Sequence, residues 1–240
     1  MRTFAMAAIL AAGLPFGHAA QAASLRVAPV LIDLSAPTAA SSIRIWNDAP
    51  QAINVQTRIF RWSQKNGVDV YTPATDVVAS PPITKLKPGG ENMVRIVRTS
   101  KKSVQSEESY RLLVDELPNA GGRKAGTVVL VVRHSIPVFF SRPDAAEATT
   151  RWQVTAKAGG YQLTAVNSGA RRLKISNLSL SAGSKSVAQR DGLIGYVLGK
   201  STVSWFIPAQ GGKRASGSSL TITADSEAGR FNATASLNGG

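Results

Sequence analysis

The stretch from Thr127 to Pro143, TVVLVVRHSIPVFFSRP, limits the fold more than any other part of the chain. Val128, Val129, Leu130, Val131 and Val132 form an unbroken apolar run, followed by Ile136, Val138, Phe139 and Phe140. A Gly-rich segment, Asn119 to Gly126, precedes it. β-Branched and aromatic residues bounded by turn formers predict one long strand. Pro137 interrupts that strand and cannot donate a ladder hydrogen bond, which demotes it to a sheet edge, a bulge or a strand end. A long apolar edge is an aggregation hazard unless it is covered or paired.

The rest of the chain reads as further short strands. Leu25 to Leu34 (LRVAPVLIDL) is interrupted by Pro29, which predicts an edge or a strand that switches between sheets. From Ser41 to Asn47, Ile43 and Ile45 face one side while Arg44 and Trp46 face the other. Asn66-Gly67 between RIFRWSQK and VDVY predicts a hairpin. The turn Lys87-Pro88-Gly89-Gly90 leads into a strand from Asn92 to Arg98, and Tyr110 to Leu117 is another. About seven strands with regular turn signals, and no long amphipathic helix, give the pattern of an immunoglobulin-like sandwich. After Arg142-Pro143 a small, polar linker (Asp144 to Thr150) precedes a second series of short strands from Trp152 onward. The expected fold class is all-β, with two immunoglobulin-like β-sandwich domains at an angle to one another. Residues 24–145 are assigned to the first and 146–240 to the second, and no short internal repeat is evident.

Residues 1–23 have the features of a secretory signal peptide: Arg2, an apolar run from Phe4 to Phe16, and the small-x-small site Ala20-Gln21-Ala22. No later apolar run is long enough to span a bilayer, so no stable membrane insertion is expected. There is no cysteine, which excludes thiol catalysis and Cys-ligated metals. With His18 in the signal segment, His134 stands alone, so neither a multi-His metal site nor a serine triad with a spare histidine is expected. Asp115 and Glu116 are adjacent on a strand and point to opposite faces, unlike a glycosidase pair. No G-x-S-x-G, H-E-x-x-H, P-loop or G-x-G-x-x-G motif occurs. No enzyme activity, catalytic residue, metal or cofactor is expected. The formal charge is +14, or about +13 without Arg2. The basic residues sit singly in strand-like segments with no basic-aromatic stacking array, so nucleic acid is not expected as a partner.

Several segments coincide in order and spacing across about residues 25–145. They are Pro81-Pro82-Ile83-Thr84-Lys85-Leu86-Lys87-Pro88-Gly89 followed by Val94-Arg95-Ile96, then Glu108-Ser109-Tyr110 with Glu116-Leu117-Pro118, and Val138-Phe139-Phe140-Ser141-Arg142-Pro143, with Asn47 after a strand. As a set they resemble the periplasmic pilus-assembly chaperones of chaperone–usher systems. That resemblance implies a non-enzymatic periplasmic chaperone that binds, stabilises and delivers pilus subunits, with an outer-membrane usher as second partner.

In that family the seventh strand is lent to a subunit whose own sandwich lacks one. The matching alternate residues here are Val128, Leu130 and Val132, which share one strand face. Burying each in a subunit groove is worth roughly 1.5–3 kcal/mol. The other reading is that they face the domain's own core. Arg142 is similar to the family's interdomain arginine, with Glu108 (or Glu107) and Asp225 as its implied acidic partners; the other reading is a surface charge of little energetic worth. Better-known members anchor the subunit's terminal carboxylate with an arginine in the first strand and a lysine late in the seventh. The aligned positions here are Pro29 and Pro137, a departure that resembles the divergent archaic branch. The expected anchor is Arg111, whose guanidinium suits a carboxylate; Arg133 is the weaker candidate because it falls on the face opposite Val132. The principal rival function is a secreted structural or adhesive tandem-sandwich protein that self-associates through its apolar edge. A carbohydrate-active enzyme and a polyanion-binding module are the others, and a dimer that caps its own edge is a further state left open.

Overall fold

The computed structural model describes residues 25–118, 130–210 and 219–238, and every regular element among them is a β-strand. The expectations for Val128, for the signal segment and for the Asn119–Gly126 segment lie outside the described residues. In chain order the first strands are β1 (Leu25–Ala28), β2 (Ile32–Ser35), β3 (Ala40–Asn47), β4 (Ile53–Lys65) and β5 (Val68–Pro73). They are followed by β6 (Val77–Ser80), β7 (Ile83–Leu86), β8 (Glu91–Arg98), β9 (Glu107–Leu117) and β10 (Arg133–Ser141). They build two facing sheets, one ordered β1-β3-β8-β6 and the other β2-β10-β9-β4-β5 with β7 also paired to β4.

Pro29 explains how one segment serves both sheets. Before it, β1 pairs antiparallel with β3; after it, β2 pairs parallel with β10. Proline removes a ladder donor where the strand leaves the first sheet, so nothing is lost by the switch. Between the sheets lies a core that includes Leu25, Ile43, Ile45, Val94, Ile96, Tyr110, Leu112, Val138 and Phe140. The alternation read from β3 holds, with Ile43 and Ile45 buried and Arg44 exposed. Asn66 and Gly67 both have positive φ (53° and 81°) at the tip of the β4–β5 hairpin. That is the backbone a two-residue primed turn requires, and Asn-Gly is the dipeptide that adopts it most readily.

The second unit comprises β11 (Thr150–Lys157), β12 (Gly160–Asn167), β13 (Leu173–Ala182), β14 (Lys185–Val197), β15 (Thr202–Pro208), β16 (Ser219–Ser226) and β17 (Gly229–Asn238). They form one sheet ordered β14-β13-β16-β17-β11-β12-β15. Its ends come together, through a bridge between Ala188 and Ala209 and a 2.8 Å bond from the Gln210 amide to the Val187 carbonyl. The curled sheet encloses a separate core that includes Leu163, Ile175, Leu180, Val203 and Ile222. The expected division at residues 145/146 falls in the connection between β10 and β11.

A buried asparagine organises a turn in each unit. Asn47 Nδ2 donates to the carbonyls of Gln51, Leu86 and Lys87, and its Oδ1 accepts from the Ala49 amide. Asn167 Nδ2 donates to the carbonyls of Arg171, Val197 and Leu198, and its Oδ1 accepts from Gly169. The two side chains bond at the same offsets, to the carbonyl four residues on and the amide two residues on, and each clamps a later turn. The chain therefore repeats one device in both domains, which short-window comparison of the sequence does not reveal. In the second copy the packing is tight enough to demand glycine: a Cβ on Gly169 would lie 2.1 Å from the Glu147 carbonyl oxygen.

Candidate functional site

β10 is an edge strand for half its length. β9 pairs with it from Arg133 to Ser141, but β2 covers only Val138 to Ser141. Among the described residues no strand covers the other side of Arg133 to Pro137. The Glu116 amide donates to the Val132 carbonyl at 2.9 Å, so even-numbered positions of this strand bond to β9. In an antiparallel ladder the intervening positions point their backbone groups the other way. The Ser141 carbonyl does so, accepting from the Ala36 amide on the β2 side. Arg133 and Ser135 thus direct their amides and carbonyls at the open edge. Pro137 stands where an N–H would face that edge, so it takes nothing from the β9 ladder and marks the place where cover by β2 begins.

The side chains along this strand divide by position. Leu130 is 89% exposed and Val131 46% exposed, beside the open edge. Val132 is half-buried and packs against the first core. His134 is half-buried with Nε2 2.8 Å from the Leu25 carbonyl, and Ile136, Val138 and Phe140 lie in that core. Even positions from Val132 onward therefore face the domain's own interior. Leu130 has the same parity but lies beyond the end of the core.

The opposite face of the β10–β9–β4 sheet carries the polar chemistry. Phe60, Arg111 and Pro137 form one row across it, and Arg58, Leu113 and Ser135 the next. The Arg111 guanidinium lies 3.9 Å from the Trp62 ring centroid and 5.6 Å from that of Tyr196. Its Nε is buried without a hydrogen-bond partner, and no described carboxylate forms an ion pair with it. Arg133 lies on the same face as Arg111. Its Nε donates to Asp115 Oδ1, while Arg58 Nη2 donates to Asp115 Oδ2 at 2.6 Å. Burial works against ionised Asp115, but the bonds from the two arginines outweigh it and hold the carboxyl below its ordinary range.

A buried cation between the domains is Arg172, which follows the Asn167 turn. Its side chain is 2% exposed and that of Glu107, its partner, 1%. The Arg172 amide donates to Glu107 Oε1 at 2.9 Å and Nη1 to Oε2 at 2.5 Å. Nη2 reaches Asp33 at 2.7 Å and Glu227 at 3.1 Å, and the guanidinium lies 3.7 Å from the Phe139 ring centroid. Burial opposes its charge, but the three carboxylates outweigh burial and the net shift is upward. Burial pushes the Glu107 carboxyl up, with Arg172 acting against it.

The ion pair expected of Arg142, Glu108 and Asp225 does not form. Arg142 pairs with nearby Asp144 at 2.6 Å, Glu108 with Arg98 inside the first domain, and Asp225 with Arg230 inside the second. Side-chain alternation accounts for the difference. Glu108 pairs across the ladder with Phe140 and points into the first core's side of the sheet, whereas Glu107 pairs with Ser141 and Asp33 with Phe139, on the face turned to the second domain. Around this cluster Trp62, Phe139, Tyr196 and Leu198 form a third apolar group. Gln64 ties the domains further, donating to the Tyr196 carbonyl at 2.7 Å and accepting from the Leu198 amide at 2.9 Å. The Ser204 amide bonds to the Gly67 carbonyl at the β4–β5 hairpin tip. Sequence reading missed Arg172. It follows the Asn167 turn in the chain, but beyond the asparagine that turn shares no residues with the Asn47 turn that could have marked it.

No helix of the described residues is long and apolar enough to cross a membrane, and they contain no group of three His, Asp or Glu side chains that could hold a metal ion. The fold matches solved chaperone structures over nearly its whole length. A chain of the CsuC–CsuE chaperone–tip adhesion subunit pre-assembly complex, from archaic chaperone-usher Csu pili of Acinetobacter baumannii, aligns with a TM-score of 0.69 and 25% identity, covering 90% of this chain and 100% of that one. The Escherichia coli chaperone DraB aligns with a TM-score of 0.58 and 21% identity over 88% of this chain and 95% of that one. A chain of the Salmonella enterica SafA pilin–SafB chaperone complex aligns at 0.59 and 17% identity, over 90% and 98%; these last two likenesses speak to fold alone. An uncharacterized fimbrial chaperone of Escherichia coli (strain K12), YcbF, is 28% identical over 130 residues, 51% of this chain and 54% of that protein, so the match spans about half the length of that curated relative. Residues 24–147 match the model for the pili and flagellar-assembly chaperone PapD N-terminal domain, and the chain belongs to that family.

Proposed function

We propose that this protein is a periplasmic chaperone that binds, stabilises and delivers pilus subunits by donor-strand complementation, and hands them to an outer-membrane usher. The observation that carries this reading is the edge of β10 that no described strand covers, where Arg133 and Ser135 offer main-chain groups beside the 89% exposed Leu130. Strand addition supplies affinity through main-chain hydrogen bonds and specificity through alternate side chains. Leu130 and Val128 serve as the donated apolar side chains. Val132, packed on the first core, forms the junction between donated strand and domain. No catalysis is involved.

Arg111 anchors the subunit's terminal carboxylate. Its charge has no described anionic partner, its Nε is orphaned, and it lies in the row of Pro137, where the open edge ends. With the carboxylate at that end, the subunit strand beside Leu130 to Pro137 must run towards it, in the same direction as β10. The added strand is therefore parallel to β10, and Pro29 and Pro137 leave the anchoring to the sheet face.

The test is co-expression with a pilus subunit in the periplasm. The wild-type protein is expected to co-purify with the subunit and Leu130→Glu to lose it. Retention of the subunit by Leu130→Glu overturns the donor-strand reading. The same exposed edge also fits self-association, and a mass that rises with protein concentration and falls when subunit is added marks a self-capped state.

A further inference from the structure

The Arg58–Asp115–Arg133 cluster sits beside the open edge and is not used by the anchor. Its anion is buried and its cations are not: the Asp115 side chain is 7% exposed, Arg58 41% and Arg133 62%. Both carboxylate oxygens are occupied, one by each arginine, so the cluster carries a net positive charge on its solvent side. Asp115 orients the two guanidinium groups from below, which limits the rotamer freedom a free surface arginine would have to lose on binding. Arg133 is the residue on this face at the start of the edge strand, directly next to where an added strand would run. Neighbouring strands lie about 4.7–4.9 Å apart, so an acidic side chain on this face of an added strand comes within reach of the Arg133 guanidinium.

The position along the strand follows from the register. Arg133 lies four residues before Pro137, the row of Arg111, and Arg111 leans one row further onto Trp62. At roughly 3.3 Å per residue, four to six residues separate the level of Arg133 from that of the carboxylate. We infer that Arg133, held with Arg58 on buried Asp115, reads an acidic side chain of the docked subunit strand, four to six residues before its carboxylate end. This inference rests on the proposed edge pairing and on Arg111 as anchor. The cluster acts as a register mark: it favours the alignment that brings the acid to Arg133 and the carboxylate to Arg111 together.

The experiment uses the mature full-length protein and fluorescein-labelled peptides of alternating valine and serine with a free C-terminal carboxylate. One glutamate replaces each serine in turn, and binding is read by fluorescence anisotropy. A single best position is expected four to six residues before the last, tightening binding by about threefold to fivefold over serine, the range of an exposed charge pair. Arg133→Gln is expected to erase that preference while leaving unchanged the ratio of affinities for free and amidated C-termini. Arg133→Lys, which keeps the charge, is expected to retain most of it, and Arg133→Met, which removes the charge, provides the second variant if Arg133→Gln does not fold. A flat glutamate scan, or a preference that survives Arg133→Gln, overturns the inference and leaves the edge reading standing. Failure of every peptide to bind, or indifference to amidation, overturns the edge-and-anchor reading and the inference with it.

Discussion

Arg172 of the second domain is bound to Glu107 of the first by both its backbone amide (2.9 Å to Oε1) and its guanidinium (2.5 Å to Oε2), and neither side chain is more than 2% exposed. Removing one member of such a pair strands a buried charge, whereas replacing both can be nearly neutral. Arg172→Met is therefore expected to destabilise the protein by about 3–5 kcal/mol in denaturant unfolding. Arg172→Met combined with Glu107→Leu should recover most of that loss. The single variant should also depend on pH. Burial raises the folded-state pKa of Glu107, and without its cation this rise is larger. A carboxyl with a raised folded pKa is penalised only once the unfolded chain ionises, so the deficit should be small below about pH 4 and grow above it.

Leu130 and Val132 have the same parity but different surroundings, and substitution should separate them. Leu130→Glu alters a side chain already 89% exposed, so the unfolding free energy should move by no more than about 0.5 kcal/mol. Val132→Glu places a charge against the first core and should cost about 1–3 kcal/mol. Parallel thermal melts of the free protein check this independently of any subunit.

If Arg111 is the proposed anchor, its substitution should affect the free protein and the complex differently. Arg111→Ala removes its stack on Trp62, worth about 0.5–2 kcal/mol. Binding of a subunit with a free carboxylate end should weaken by about tenfold or more, as expected for loss of charged hydrogen bonds. Arg111→Lys should recover only part, because an ammonium lacks the planar fork. Titration of each variant with purified subunit measures the difference.

Asp115 should give the first domain an acid-sensitive increment of stability. Its folded-state pKa is lowered, against burial, by Arg58 and Arg133. A lowered carboxyl contributes stability that is fully present above the unfolded value, about 3.9, and is lost as pH falls through the folded value. Asp115→Asn should thus be less stable than wild type at pH 7, with the gap closing below about pH 4. Denaturant midpoints across that range provide the measurement.

Much of the architecture was legible because strands advertise themselves locally. Asn66-Gly67, the alternation from Ser41 to Asn47 and the interrupting prolines each act over a few residues, and each appears in the fold where its local chemistry places it. Pro137 was read as an edge marker, and the ladder gives the reason: its missing donor faces the side that β9 does not use. The interdomain cluster was not legible in the same way. Choosing between Glu107 and Glu108 requires knowing which face of β9 the second domain covers, and adjacent residues point to opposite faces.

The sequence by itself determined an all-β chain with an apolar strand interrupted by proline. Those properties follow from residue type and short-range order. The tertiary structure decided which cation locks the domains, that Val132 belongs to a core while Leu130 does not, and that Arg58, Arg111 and Arg133 share one face of a sheet. These depend on register and on the packing of one domain against the other, where partners separated by 65 residues, such as Glu107 and Arg172, come within 2.5 Å. Alternation allows only two faces, but long-range packing selects which one is buried.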